Sequence, residues 1–395
     1  MWFVYVGVGL ALLVATGLYT RRRLSEALRL LGARERTVRI VRWAMLWLLF
    51  AYPLLIIGAV VLSVALGRET LLRFDGLVAS VLLAMPFIWA VLVVAQSTVW
   101  LVVIDLVHLA TRRRHARRRA IAVLAAIGVF AIYTPLRILA ERGDVRVRTH
   151  LVGPGNLDAT PFRIAFVADI QQDVFTDGDD ARAVYATINA AKPDLVLSGG
   201  DWINTGPDHI AGAAEAAGTL ASRLGTFSVR GDHEHFAYPD RERSVGEIER
   251  ALTAHGVTML ANQVRTFEHA GKRIAIAFLN YNYIIRATPA QVEALVGQLA
   301  GADYRIAVTH QLDRKLAALL EGKVHLVLAA HTHGGQVNPV VGVVHVPLAR
   351  LESPYIDGSY TLGATTVIVT AGVGMSVVPV RYAAPGSLEL IELRL

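Results

Sequence analysis

The chain has 395 residues, no cysteine, 54% hydrophobic residues and a formal net charge of +7. Without thiols, disulfides and thiolate metal sites are excluded, so any metal must be held by nitrogen and oxygen, a donor set suited to Mn, Fe, Zn, Mg or Ni. The positive charge does not mark a nucleic-acid binder: residues 1–119 carry 16 Arg and 5 acidic residues, whereas the remainder is net −4. A basic surplus confined to an apolar third reads as topology information, and the acidic remainder lacks the basic surface a nuclease needs.

Four long apolar stretches open the chain, at about 2–20, 43–66, 76–110 and 120–140. Each meets the roughly 20 residues needed to cross about 30 Å of hydrocarbon. The third is overlong and carries Pro86, which predicts one tilted or kinked helix. Residues 21–42 hold eight arginines and residues 112–119 hold six, while in the loop 67–75 Arg68 and Arg73 are offset by Glu69 and Asp75. The positive-inside bias puts both arginine-rich loops in the cytoplasm, and the N-terminus and everything after residue 140 outside it. The first stretch lacks a basic leader and has its charges behind it, as a signal anchor does. The expectation is a four-helix transmembrane region over 1–140, multi-pass in the cytoplasmic membrane, followed by an extracytoplasmic domain over 141–395. A transport role finds little support, because Asp105 is the single acidic residue deep within a span.

Beyond residue 140 the texture changes to short apolar runs separated by helix-length segments. The alternating VRVRTHLV predicts a strand leading out of the membrane, and helices are expected at 180–191, 209–224, 244–255 and 289–299. The last 60 residues are rich in Gly and Val and read as strands between turns. Together these predict an α/β domain with two packed mixed sheets flanked by helices.

Five polar motifs each follow an apolar run: Asp169-Ile170-Gln171 after RIAFVA, Gly199-Gly200-Asp201 after DLVLS, Gly231-Asp232-His233-Glu234 after TFSVR, Thr309-His310 after RIAV, and His331-Thr332-His333-Gly334-Gly335 after VHLVLAA. Ligands of such sheets bind beyond the carboxyl ends of the strands. Taken singly, a Gly-Asp is most often a turn and a strand-end histidine a satisfied surface or core residue. His331 and His333 share one side if the segment is extended. His235 is a candidate substrate contact.

The order and spacing of these motifs over residues 160–395 resemble the calcineurin-like metallophosphoesterase superfamily, whose pattern is Asp-x-His, Gly-Asp, Gly-Asn-His-Asp/Glu, His and Gly-His-x-His. The resemblance is nearest to the membrane-anchored bacterial branch and similar animal proteins with transmembrane helices. It implies a metallophosphoesterase fold and two divalent metal ions (Mn, Fe or Zn). By the same resemblance Asp169, Gln171 and His333 serve the first ion, Asp201 bridges, and Asp232, His310 and His331 serve the second. His233 is the implied catalytic residue, facing the substrate with Glu234 as its orienting partner. Three positions depart from the pattern: Gln171 stands for histidine, Asp232 for asparagine and Ala330 for glycine. A neutral amide weakens the first site, whereas the extra carboxylate strengthens the second and lowers the charge of the whole.

The expected function is hydrolysis of a phosphate ester, a diester or lipid-linked phosphate or pyrophosphate, by a membrane-embedded enzyme with no nucleic-acid partner. The alternative is a catalytically degenerate membrane protein that binds or senses a phosphorylated ligand. Nothing in the sequence sets the oligomeric state.

Overall fold

A computed structural model describes residues 2–66, 76–112, 114–155, 158–342, 344–376 and 378–395. The loop at 67–75 lies outside the described residues. Packing divides the chain into two compact units. The first holds Met1–Ala140 with Asn338–Val346 and Val377–Ala383, and the second holds Glu141–Val337, Pro347–Ser376 and Ala384–Leu395.

In the first unit, three helices among the described residues are long and apolar enough to cross a membrane: Glu35–Ser63, Leu77–Ala110 and Ala116–Glu141. The first expected stretch, 2–20, lies in the helix Trp2–Leu30, which continues through Arg21, Arg22 and Arg23 instead of stopping before them. Arginine is a good helix former, so the charge pattern marks where apolar surface ends but not where the helix ends. The overlong third stretch holds a π-helical segment, Ser80–Ala84, just before Pro86. That is the irregularity a proline forces on the preceding turn. Asp105 is neutralised by Arg23 at 2.5 Å and Arg119 at 2.7 Å, and accepts a hydrogen bond from the Tyr19 hydroxyl. It therefore pins three helices together, which accounts for a carboxylate in an apolar setting without a transport path.

The second unit is built on two mixed six-stranded sheets. In chain order its strands are β1 (Val145–Val152), β2 (Phe162–Val167), β3 (Leu195–Ser198), β4 (Thr226–Ser228), β5 (Val257–Met259), β6 (Gln263–His269), β7 (Lys272–Leu279), β8 (Tyr304–Thr309) and β9 (Leu326–Ala329). A small hairpin, β10 (Val340–Val341) with β11 (Val344–His345), belongs to the helical unit; β12 (Gly358–Leu362), β13 (Thr365–Val369) and β14 (Gly386–Leu393) complete the sheets. The first sheet runs β1-β14-β2-β3-β4-β5 and the second β12-β13-β9-β8-β7-β6.

Alternation along each strand assigns its side chains to two apolar layers. On β2, Ile164 and Phe166 point between the sheets, where they meet Ile274, Phe278, Ile306 and Leu328. Ala165 and Val167 point the other way, to the helices Gly178–Ala190, Ile210–Ala217 and Arg241–Ala254. The helices Pro289–Gly297 and Arg314–Leu320 cover the outer face of the second sheet. The helix expected at 209–224 stops at Ala217, followed by Gly218 as its C-cap. The layers are thus helix, sheet, sheet, helix, and the parallel strands β2, β3, β4, β8 and β9 all end at one rim.

Candidate metal centre

Each motif is delivered by the chain leaving a buried strand. Asp169 and Gln171 follow β2, Asp201 follows β3, Asp232 follows β4, His310 follows β8, and His331 and His333 follow β9. The turns are sharp: Asp169, Gln171, Asp201, His331 and His333 all have left-handed backbone, with φ of 53, 52, 59, 76 and 50°. Non-glycine residues seldom adopt this conformation, and it concentrates where function demands it. Glycines make room beside them. A Cβ on Gly231 would lie 2.1 Å from Asp201 Oδ1, and one on Gly372, itself at φ +65°, would lie 2.5 Å from Asp169 Cβ.

The result is two overlapping groups of ligand atoms, Asp169–Asp201–His310 and Asp232–His310–His331, each within 4.8 Å. His310 Nδ1 donates to the Gly199 carbonyl at 2.8 Å, which turns Nε2 toward Asp201 Oδ2 at 3.4 Å and Asp232 Oδ2 at 3.3 Å. His331 Nδ1 lies 2.8 Å from Asp232 Oδ2. Gln171 Nε2 donates to Asp201 Oδ2 at 2.7 Å. Asp169 Oδ1 and Gln171 Oε1 are both buried with no hydrogen-bond partner. Buried acceptors without donors are costly, and a cation is what such a donor set fits. His333 is buried at the start of the turn His333–Gly335 but belongs to neither group.

The electrostatics point the same way. Burial, reinforced for Asp169 by the charge of Asp201 and for Asp201 by that of Asp232, pushes each carboxyl up to about 6. Burial acts upward on Asp232 too, but hydrogen bonds from His310 and His331 hold it well below the usual carboxylate range. Burial would lower both imidazoles, yet the surrounding carboxylates raise His310 well above its ordinary value, and Asp232 with Glu352 raises His331 to about 9. Three carboxylates and two imidazoles packed this closely demand positive charge at their centre.

His233 sits half-buried beside this cluster. Its Nδ1 bonds the Asn204 carbonyl and its Nε2 lies 3.1 Å from the Ser376 hydroxyl. The expected orienting role of Glu234 is not what the structure shows. Glu234 is fully buried and accepts from the backbone N–H groups of Asp201, Trp202 and Gly231 at 3.0, 2.8 and 2.6 Å. Its carboxylate ties two motif loops together, leaving Asn204 and Ser376 to orient His233. Neither stood out in the sequence, because an Asn and a Ser in loops carry no spacing signal. His235 is 3% exposed, in the short turn His233–His235.

The calcineurin-like phosphoesterase family model matches residues 162–335, the stretch that supplies every residue of the cluster. The uncharacterized metallophosphoesterase YkuE of Bacillus subtilis is 28% identical over 65% of this chain and 86% of its own. Phosphodiesterase YaeI of Escherichia coli is 24% identical over 72% of this chain and 99% of its own. A Danio rerio protein named transmembrane protein with metallophosphoesterase domain is 26% identical over 69% of this chain and 61% of its own. The chain spans about half the length of the Caenorhabditis elegans relative F40B5.2, 47% of it. Among solved structures, Haemophilus influenzae NAD nucleotidase aligns over 54% of this chain and 46% of its own, with 14% identity and a TM-score of 0.39. Strand-end ligands, buried acceptors and a sequence match thus coincide on the same residues: the chain carries a calcineurin-like phosphoesterase domain, and relatives named metallophosphoesterase or phosphodiesterase support a hydrolase.

Proposed function

We propose that this protein hydrolyses a phosphodiester, or a lipid-linked phosphate or pyrophosphate, at the outer face of the cytoplasmic membrane. The reading is carried by the convergence of Asp169, Asp201, Asp232, His310 and His331 in two groups that share His310. In it, Asp169, Gln171 and His333 would hold one ion, Asp232, His310 and His331 would hold the other, and Asp201 would serve both. Two divalent ions of the Mn, Fe or Zn type at such a site polarise a phosphoryl oxygen and lower the pKa of water.

His233 supplies the proton chemistry. The Asn204 carbonyl accepts only, so the Nδ1 proton is fixed and Nε2 is the exchangeable position. Burial depresses this imidazole, so an Nε2 proton is held weakly and can pass to a leaving oxygen.

Four features support the finer terms. The arginine-rich stretches 21–42 and 112–119 favour four crossings with residues 141–395 outside. The Danio rerio and Escherichia coli relatives are named for a transmembrane region and for phosphodiesterase activity. Tyr283, Ile285, Leu348 and Leu351, between 40% and 59% exposed, lie on loops bearing partners of Asp232 and His331, which suits an amphiphilic substrate. Against two dications, three carboxylates leave a net charge near +1, a weak attraction for a phosphate dianion and an adequate one for a mono-anionic ester.

A second reading, a degenerate site that binds or senses a phosphorylated ligand, rests on Gln171. Hydrolysis of a chromogenic phosphodiester by the detergent-purified protein separates the two, after chelation and after adding Mn2+ back. Turnover that returns with metal and is lost in Asp201→Ala supports catalysis. Full Mn2+ binding without turnover of mono- or diesters would sink it.

A further inference from the structure

Glu352 lies beyond the matched residues 162–335, in an exposed stretch that no motif marks. Its Oε1 is 2.7 Å from His331 Nε2. Glu352 and Asp232 can each only accept, so the metal-free imidazole carries a proton on both nitrogens, and an ion bound at Nδ1 would leave only the Nε2 proton that Glu352 holds. The opposite nitrogen, Nδ1, then faces Asp232 Oδ2 at 2.8 Å and His310 Nε2 at 3.1 Å. Glu352 is itself held. Gln311, 1% exposed, donates its amide to the same Oε1, the Tyr283 side chain also bonds the carboxylate, and Arg286 Nη2 donates to Gln311 Oε1 at 3.1 Å. His331 thus has one nitrogen turned into the cluster because a braced carboxylate holds the other.

We propose that Glu352 is the positioning residue for His331, fixing its tautomer and ring plane so that Nδ1 is presented to the second ion. The inference rests on the metal-centre reading above. Partners of this kind outside a ligand shell typically account for about 10- to 100-fold in metal affinity. A bare surface ion pair would account for none, and the side chain of Glu352 is 30% exposed, so a simple pair there would be well screened.

The test uses the full-length protein in detergent, stripped by chelation and titrated with Mn2+ by calorimetry, with the melting temperature of the stripped form measured alongside. E352A should weaken one Mn2+ site by about 10- to 100-fold and leave the other unchanged. E352Q, whose amide oxygen can still accept from Nε2, should recover most of that loss. Unaltered Mn2+ binding in E352A would overturn the proposal. So would a lower melting temperature of the stripped protein in both variants with both sites weakened, since that describes a purely structural role. Wild-type protein that takes up no Mn2+ would overturn the metal-centre reading, and this inference with it.

Discussion

Gln171 Nε2 donates to Asp201 Oδ2 at 2.7 Å, and the same amide leaves its oxygen buried and without a donor. The orientation is forced, because a carboxylate can receive only the NH2 end. An amide that ties down the Asp201 carboxylate and still offers an oxygen inward is an active member of the site. Gln171→His should therefore tighten the first ion by about tenfold, or ~1.4 kcal/mol. Gln171→Leu should weaken it and also disturb Asp201. Mn2+ titration of the two variants checks both directions, and equal affinities would show that position 171 holds no ion.

Removing the imidazole in His233→Ala should lower kcat by about 10²- to 10⁴-fold, the range for a lost general acid. Metal content should stay at the wild-type level, since His233 Nε2 faces Ser376. Ser376→Ala should cost far less. Metal analysis beside steady-state kinetics decides it.

Glu234→Ala would strand three buried amides, those of Asp201, Trp202 and Gly231. Each orphan costs about 1–3 kcal/mol, so a loss of about 3 kcal/mol or more in stability is expected. Glu234→Gln keeps an acceptor oxygen and should lose less. Chemical denaturation of the stripped protein measures both.

Asp232→Asn restores a unit of positive charge to the loaded site and should raise the monoester-to-diester rate ratio. About tenfold is expected, a fraction of the ~4 kcal/mol that two unit charges exchange at 4 Å in a medium of effective dielectric about 20. A ratio that stays put would remove charge as the basis of substrate choice.

The metal-free protein should lose stability as pH rises. Asp169 and Asp201 at about 6, and Glu234 at about 7, sit above their ordinary values chiefly through burial. Raised groups stabilise fully below the unfolded pKa and lose that contribution as pH climbs through the folded one. The carboxyl window runs from about 4 to 7, and His331, raised to about 9, extends it with the same sign. His233, depressed by burial, acts oppositely as pH falls below its ordinary value. Melting curves of the stripped protein between pH 5 and 9 should fall, and saturating Mn2+ should flatten or reverse the slope.

Strand ends were the legible part of this chain. Runs such as RIAFVA and VHLVLAA are short, β-branched and closed by a polar break, so each names both a buried strand and the residue leaving it. Local rules failed where a contact depends on loops far apart in sequence. Glu234 follows His233 directly, yet its carboxylate faces the turn after β3, and the carbonyl that orients His233 comes from Asn204. Glu352 lies 21 residues from His331, in a stretch with no periodicity to locate it. Helix ends were misjudged for a different reason: arginines that end an apolar surface do not end a helix, as the course of Trp2–Leu30 shows.

The left-handed turns at Asp169, Gln171, Asp201, His331 and His333 bear on how such a chain could drift. Each conformation carries a cost of about 1–3 kcal/mol that glycine would largely remove. A lineage that had given up turnover could gain thermal resilience by drifting to glycine at any of the five. The chain has glycine at none of the five and keeps side chains whose backbone conformation burdens the fold.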